Sequence, residues 1–401
     1  MSLDAGSSSI KAALGEMLQN ESINVLGIVK HPSEGIKKGN VIDIDAASRS
    51  IDACLNELEK LTGVEIGNAL AGYSGTSISS VRNRAVVAVG NTDYEISQED
   101  KERVLLSAQN ISLPPDKTIV QLIERQYVVD GYDGVREPVG MVGSRLESEV
   151  LMLVAASAAM QNLQRCASRI NLHLDRLVYN QLLGAQAVLL PDELQMGVIL
   201  VDMGAGTTEI SVFQQGSLLF TSVLPLGGDY ITRDLAIVLK TSIDEAIRIK
   251  EAAGIALSSL EKSEHLINVC NIQGKEFKQV SQQIVTEIIA ARVQEITEMI
   301  VAEVNQYVIG PIPGGMVLAG GCAELDGLVE AIEEYSGMPV RVGSMESIKG
   351  LDPQMNKPEN AVVVGSLLYG MKHIGWTNLE IQDNVGSAFY KINHWLRDLF
   401  S

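Results

Sequence analysis

Apolar positions along the chain alternate between strand-like runs and helical spacing. Residues 4–15 place Gly6, Ser7, Ser8 and Ser9 at a bend and return to apolar Ile10, Ala12, Ala13 and Leu14, which predicts a strand, a turn and a strand. Ile51, Leu55, Leu58 and Leu61 recur at helical spacing behind Asp45, so a surface helix over 45–61 with Asp45 as its N-cap is expected. From about 78 to 154 the texture changes to short β-branched runs, such as 84–89 and 117–123, separated by Asn, Asp, Pro and Gly. That texture predicts a small α+β insertion. Residues 158–170 read as helix, and 174–190 as a short strand followed by an Ala-rich helix. The unbroken apolar run 197–202 reads as a buried strand, continued in a meander by 208–213 and 218–224. Residues 230–303 read as mostly helical, with Ile284, Ile288, Val293, Ile296 and Ile300 forming an apolar stripe. A strand over 316–321 runs into glycines, a helix follows over 328–335, and an Ala/Gly/Leu-rich helix closes the pattern over 361–369.

One grammar occurs twice. Asp4-Ala5-Gly6-Ser7-Ser8-Ser9-Ile10-Lys11 and Asp202-Met203-Gly204-Ala205-Gly206-Thr207-Thr208-Glu209-Ile210-Ser211 each run from an apolar strand through Asp-x-Gly and hydroxyl residues into another strand. The copies lie about half a chain apart, which suggests two related domains facing one cleft. Such turns can hold phosphates: Gly6, Gly204 and Gly206 let backbone N–H groups approach, and Ser7, Ser8, Ser9, Thr207 and Thr208 add hydroxyl donors. Asp4 and Asp202 end their strands where a carboxylate can hold Mg²⁺ through water, and Lys11 supplies positive charge. A single such turn reads more simply as a hairpin. The third glycine motif, Leu318-Ala319-Gly320-Gly321-Cys322-Ala323-Glu324-Leu325-Asp326-Gly327-Leu328, alters that balance, because bare backbone at Gly320 and Gly321 lets a flat adenine lie close.

The 401 residues, 46% hydrophobic and 20% charged, can bury a substantial core in more than one domain. A net charge of −19 argues against nucleic acid as a partner and against broad attraction to anionic lipid. Cys54, Cys166, Cys270 and Cys322 contain no CxxC pair, so reduced thiols are expected rather than a zinc site or disulfide framework. The five histidines form no ligand-spaced cluster. No signal-peptide pattern and no run of 18 apolar residues occurs, which points to a cytosolic protein. Only Met1, Ser2 and Leu3 precede the first turn, where a strand of ~5 residues is usual, so a truncated or misplaced start is an open reading.

In order and spacing, the three motifs resemble the two phosphate loops and the adenosine motif of the actin, sugar-kinase and heat-shock-chaperone superfamily. Within it the chain is similar to the FtsA family over essentially its whole length. The resemblance rests on Ser7-Ser8-Ser9-Ile10-Lys11, on Leu226-Gly227-Gly228-Asp229-Tyr230-Ile231-Thr232-Arg233-Asp234-Leu235-Ala236 and on Glu245-Ala246-Ile247-Arg248-Ile249-Lys250. It implies an α/β, actin-like two-domain fold with a duplicated ribonuclease-H-like core and an α+β insertion subdomain. The implied division is 1–77 with 155–192, an insertion at 78–154, 193–229 with 304–375, and 230–303, then a linker at 376–385 and a terminal helix at 386–401. ATP with Mg²⁺ is the implied cofactor, with Gly228 and Lys250 joining the residues above.

Three departures bear on chemistry. Ala205 narrows the second loop where relatives have glycine, and Glu209 stands there for Asp. Ile247 replaces the acid of the Glu-x-x-Lys pair near the ribose. Asn180 occupies the place of a Gln or Glu near the attacking water, and Asn is shorter and cannot act as a base. ATP binding is therefore expected, and fast hydrolysis is not.

In the tail, Phe389, Ile392, Trp395, Leu396, Leu399 and Phe400 share one helical face, opposite Lys391, His394, Arg397 and Asp398. A net-basic amphipathic helix behind a polar linker suits the membrane interface, although a terminal helix docked on the body would show the same pattern. The resemblance further implies head-to-tail polymerisation, tethering of FtsZ filaments to the cytoplasmic membrane at the division site, and recruitment of other division proteins. Arg292 resembles the arginine that holds the acidic C-terminal peptide of FtsZ, though pairing with Glu295 or Glu287 at helical spacing explains it equally. The rival readings are a PilM-type pilus adaptor, which lacks the terminal helix; a sugar- or acetate-kinase, which needs a base not evident here; and a paralogue that has lost nucleotide.

Overall fold

The computed structural model describes residues 1–18, 22–257, 265–346, 348 and 350–374. Strands β1 (Ser2–Ala5), β2 (Ser9–Met17) and β3 (Ile23–Pro32) form an antiparallel meander, and the Gly6–Ser8 turn joins the first two. The short hairpin of β4 (Ile36–Lys37) and β5 (Asn40–Val41) leads into helix α1 (Ile44–Thr62). Asp43, not Asp45, caps that helix: its backbone is extended and its side chain accepts from the Ala46 N–H, while Asp45 lies in the first turn. Strand β6 (Asn68–Tyr73) then pairs parallel with β1.

The insertion holds β7 (Ser79–Ala88), helix α2 (Gln98–Gln109), and strands β8 (Lys117–Val129), β9 (Tyr132–Val135) and β10 (Arg145–Ala156). Its four-stranded sheet closes over its own core of Val104, Leu105, Tyr127, Val150 and Met152. Arg82 Nη2 donates to the Leu219 carbonyl at 2.9 Å, fastening the insertion to the second half of the chain. Helix α3 (Ser157–Arg169), strand β11 (His173–Tyr179) and helices α4 (Asn180–Val188) and α5 (Pro191–Met196) complete the first half.

The second half repeats the plan with β12 (Val198–Met203), β13 (Thr208–Gln214) and β14 (Ser217–Leu224), followed by helices α6 (Gly228–Leu239) and α7 (Ile243–Ala253). A hairpin of β15 (Leu266–Cys270) and β16 (Phe277–Ser281) precedes the long helix α8 (Gln282–Tyr307). Strand β17 (Met316–Ala319), helix α9 (Leu328–Ser336), strand β18 (Val340–Val342) and helix α10 (Ala361–Ile374) follow. The two five-stranded sheets have orders β3-β2-β1-β6-β11 and β14-β13-β12-β17-β18. In each, two antiparallel pairings are followed by two parallel ones, so the duplication read from the motifs is also a duplication of topology.

Two expectations for the stretch 230–303 need correction. It contains the β15–β16 hairpin as well as helices. The buried line of α8 is Val285, Ile289, Val293, Ile296, Ile300 and Val304, whereas Ile284 is 43% exposed and Ile288 only partly buried. The stripe is thus rotated by about one residue at its N-terminal end, because the surface of helices α6 and α9 decides which side is covered.

Candidate functional site

The two Asp-x-Gly turns face each other across a cleft and line one cavity of about 460 Å³. Within it converge Asp4, Gly6, Ser7, Ser8, Ser9 and Lys11 from the first turn, and Asp202, Gly204, Gly206 and Thr207 from the second. Asn180, Gly228, Lys250, Gly320 and Gly321 line the same cavity. Thr208 does not: it is fully buried and its hydroxyl donates to the Leu226 carbonyl at 2.9 Å, bracing the loop ahead of α6. It begins strand β13, and strand alternation turns its side chain away from the cleft.

Strand register explains the charges. Asp4 lies opposite Lys11 on the β1–β2 pair, and Asp202 lies opposite Glu209 on β12–β13. The duplicated hairpin therefore presents a cation at one position and a carboxylate at the equivalent one. Burial pushes the Asp4 carboxyl up, opposed by Lys11 and by the Asn180 amide, which donates to Asp4 Oδ1 at 3.3 Å. Burial and the charge of Asp4 push Asp202 up to about 6. Glu209 rises to about 8, through burial and then the charge of Asp202, despite a hydrogen bond from Ser74. Its Oε2 and the Asn180 Oδ1 are buried without a hydrogen-bond partner. Three carboxyls that disfavour one another's ionisation make a place where a cation is welcome. Among the described residues no group of three or more His, Cys, Asp or Glu has the geometry to hold a metal directly. The arrangement fits Mg²⁺ held through water by Asp4 and Asp202.

The opposite end is bare. Gly320 has φ +82°, and a Cβ there would lie 2.4 Å from Asp202 Oδ1, so only glycine lets β17 turn here. A Cβ at Gly321 would meet no protein atom within 4 Å, leaving open backbone for a flat ring. Cys322 lies beside them, its thiol pushed up to about 11 by burial. Lys250 Nζ donates to Thr232 Oγ1 at 2.9 Å, and Glu251 lines the cavity next to it. An acid thus does accompany Lys250 despite Ile247, which is 37% exposed.

Several lining residues were not foreseen. Glu359, in the turn before α10, accepts from Lys30 Nζ at 2.6 Å, and its backbone carbonyl accepts from Lys11 Nζ at 2.7 Å. Burial alone would raise the Glu359 carboxyl, but the Lys30 hydrogen bond and the charges of Lys11, Lys30 and Lys357 hold it below its usual range. Glu209, noted in the sequence only as standing for Asp in the second loop, is the counterpart of Lys11: it follows Asp202 by the same spacing as Lys11 follows Asp4. Arg292 lies apart from the cavity, bidentate on Asp234 at 2.6 and 3.1 Å and paired with Glu295. The expectation for Phe389, Ile392, Trp395, Leu396, Leu399 and Phe400 falls outside the described residues. No helix among the described residues is long and apolar enough to cross a membrane.

Two family models match: "Cell division protein FtsA" over residues 199–365 and "SHS2 domain inserted in FTSA" over residues 75–154. The chain is 37% identical to the cell division protein FtsA of Pseudomonas aeruginosa over 371 residues, covering 92% of this chain and 88% of that one. It is 34% identical to the Neisseria meningitidis FtsA over 408 residues, covering 99% and 98%, and 37% identical to that of Bacillus subtilis over 354 residues, covering 88% and 80%. Among solved structures, the PilM-PilN type IV pilus biogenesis complex superposes with a TM-score of 0.65 at 17% identity, covering 92% of this chain and 98% of that one. MreB5 of Spiroplasma citri bound to ADP superposes with a TM-score of 0.56 at 12% identity, covering 93% and 96%. These structural likenesses speak to the actin-like fold.

Proposed function

The chain belongs to the FtsA family of cell-division proteins, and from that premise we propose that it is an ATP-binding adaptor that polymerises on the cytoplasmic membrane and tethers FtsZ filaments to it at the division site. The observation that carries the nucleotide part is the convergence of two Asp-x-Gly turns and a double-glycine turn on one cavity. Backbone N–H groups around Gly6, Gly204 and Gly206, with the hydroxyls of Ser7, Ser8, Ser9 and Thr207, would hold the phosphates, and Gly320 and Gly321 would face the adenine. Lys250 and Glu251, which line the same cavity, would face the ribose. Mg²⁺, when bound, would supply positive charge to the phosphate oxygens, with Asp4 and Asp202 holding its waters.

Turnover is expected to be slow. Asn180 cannot accept a proton, and Glu209, the carboxyl facing the same space, is held largely protonated at neutral pH. Slow turnover suits an adaptor whose nucleotide biases closure of two bodies rather than supplying chemistry. The PilM reading is disfavoured, because the PilM likeness is one of fold at 17% identity, whereas FtsA relatives share up to 37%.

Co-sedimentation with anionic vesicles tests the membrane and nucleotide parts of the proposal, using the full chain and a chain ending at Asp383, each with and without Mg-ATP. The full chain is expected to sediment, more strongly with Mg-ATP, and the shortened one to stay in solution. A single short helix binds weakly, so the gain with ATP is the avidity of a polymer. Equal behaviour of the two chains would remove the membrane part of the proposal.

A further inference from the structure

Lys38 and Gly39 close the β4–β5 hairpin with φ of +50° and +72°. Two consecutive positive φ values mark a type I′ turn, where Asn, Asp and Gly are favoured and a lysine is strained. Strain retained at a turn directs attention to what the side chain does. Lys38 Nζ reaches across the cleft and donates to the phenolic oxygen of Tyr230 at 3.2 Å. Tyr230 stands on the first turn of α6, in the other half of the duplicated fold.

Both ends of this contact are fixed to the phosphate turns. The Gly39 N–H donates to Ser7 Oγ at 3.0 Å, which ties the hairpin to the first turn. A Cβ at Gly206 would lie 3.2 Å from the Lys38 nitrogen, so the second turn abuts the same hairpin. Gly228, two residues before Tyr230, donates its N–H to the Gly204 carbonyl at 2.9 Å. The tyrosine is itself held in place: the guanidinium carbons of Arg233 and Arg292 lie 5.4 and 5.6 Å from its ring centroid, and Arg292 is clamped by Asp234. Lys38 Nζ, 5.5 Å from the centroid but 3.2 Å from the hydroxyl, contacts the polar end of the ring.

We propose that Lys38 and Tyr230 form a strap across the phosphate end of the cleft that sets how long a bound nucleotide stays. The role in residence time rests on the nucleotide reading above; the strap itself rests on geometry alone. It joins the two bodies outside the cavity lining, so removing it should speed release without removing any group that holds the ligand.

The test is stopped-flow release of a fluorescent ATP analogue with Mg²⁺ from the full chain. Lys38→Asn keeps the turn and relieves its strain while removing the ammonium; Tyr230→Phe keeps the ring and removes the hydroxyl. Each is expected to speed release about fivefold, the worth of one partly exposed charged hydrogen bond, and the double variant to be no faster than either. Lys38→Asn should melt no lower than the parent chain, which separates lost strapping from lost folding. Unchanged release in both variants, or independent additive effects, overturns the proposal. If the parent chain binds no analogue, the nucleotide reading fails along with the residence-time role. The strap is then read from amide exchange of residues 34–42 in the nucleotide-free chain. Faster exchange in Tyr230→Phe supports it, and identical exchange sinks it.

Discussion

Replacing Gly206 by valine is expected to give a folded chain whose affinity for Mg-ATP falls by about ten- to a hundredfold, the cost of overpacking a close contact. Gly206 lies where the two phosphate turns touch. A Cβ there would stand 3.0 Å from Ser7 Oγ, 3.2 Å from Ser7 Cβ and 3.2 Å from the Lys38 nitrogen. Those contacts are tight but not impossible, and φ at this residue is not positive, so the backbone itself tolerates a side chain. The branched methyls would force the second turn away from the first or fill the space between them. Either outcome separates the N–H and hydroxyl donors that must close on the same phosphates. Titration with a fluorescent ATP analogue, alongside a thermal melt, reads the two effects separately. A variant that melts like the parent and binds like the parent would mean that the turns do not flank the phosphates. Gly321→Ala offers a milder comparison at the other end of the cavity, where the new methyl meets no protein atom within 4 Å and only trims the space for a ring.

Much of this site was legible in the sequence because it is built from local grammar. A strand that ends in Asp-x-Gly and resumes after two or three hydroxyl residues can hardly be anything but a turn, and its doubling half a chain later fixes which turns meet. The residues that the sequence does not signal are those whose place depends on distant chain. Glu359 lies 348 positions from Lys11, whose ammonium its carbonyl accepts, and nothing near Glu359 in sequence signals a cleft. Glu251 is illegible from the Glu-x-x-Lys pattern, which points to position 247; the helix turns the neighbour of Lys250 into the cavity instead. The stripe of α8 is ambiguous for a related reason: Ile284 and Ile288 satisfy helical spacing as well as Val285 and Ile289, and only the packing partners choose between them. Asp43 and Asp45 both suit a cap by composition, and the extended backbone at Asp43 decides in its favour.

The second large effect is expected at Glu209. In the folded chain its carboxyl is held up to about 8, by burial first and by the charge of Asp202 second. In the unfolded chain it would titrate near the ordinary ~4.3. Between those values the folded state keeps a proton that the unfolded state gives up, so stability falls as pH rises through the window. The slope is at most about 1.4 kcal/mol per pH unit for one such group. Asp202, raised to about 6, adds to the lower part of the same window, so above pH 6 the slope belongs mainly to Glu209. Glu209→Gln keeps the shape, cannot ionise, and preserves an acceptor for the Ser74 hydroxyl. The nucleotide-free variant is therefore expected to melt with the parent near pH 5 and above it at pH 8, by several degrees. Parallel melting curves at the two pH values would show that Glu209 is not protonated in the folded chain. Hydrolysis is read separately, because bound Mg²⁺ and phosphates beside Asp202 reset the ionisation of Glu209. A carboxyl facing the phosphate turns can take a proton from water only once it has lost its own, so Glu209→Gln is expected to lower the parent's slow turnover where the parent is most active. Unchanged turnover in the variant would leave Glu209 a purely electrostatic neighbour of Asp202, and would place any proton transfer on water alone.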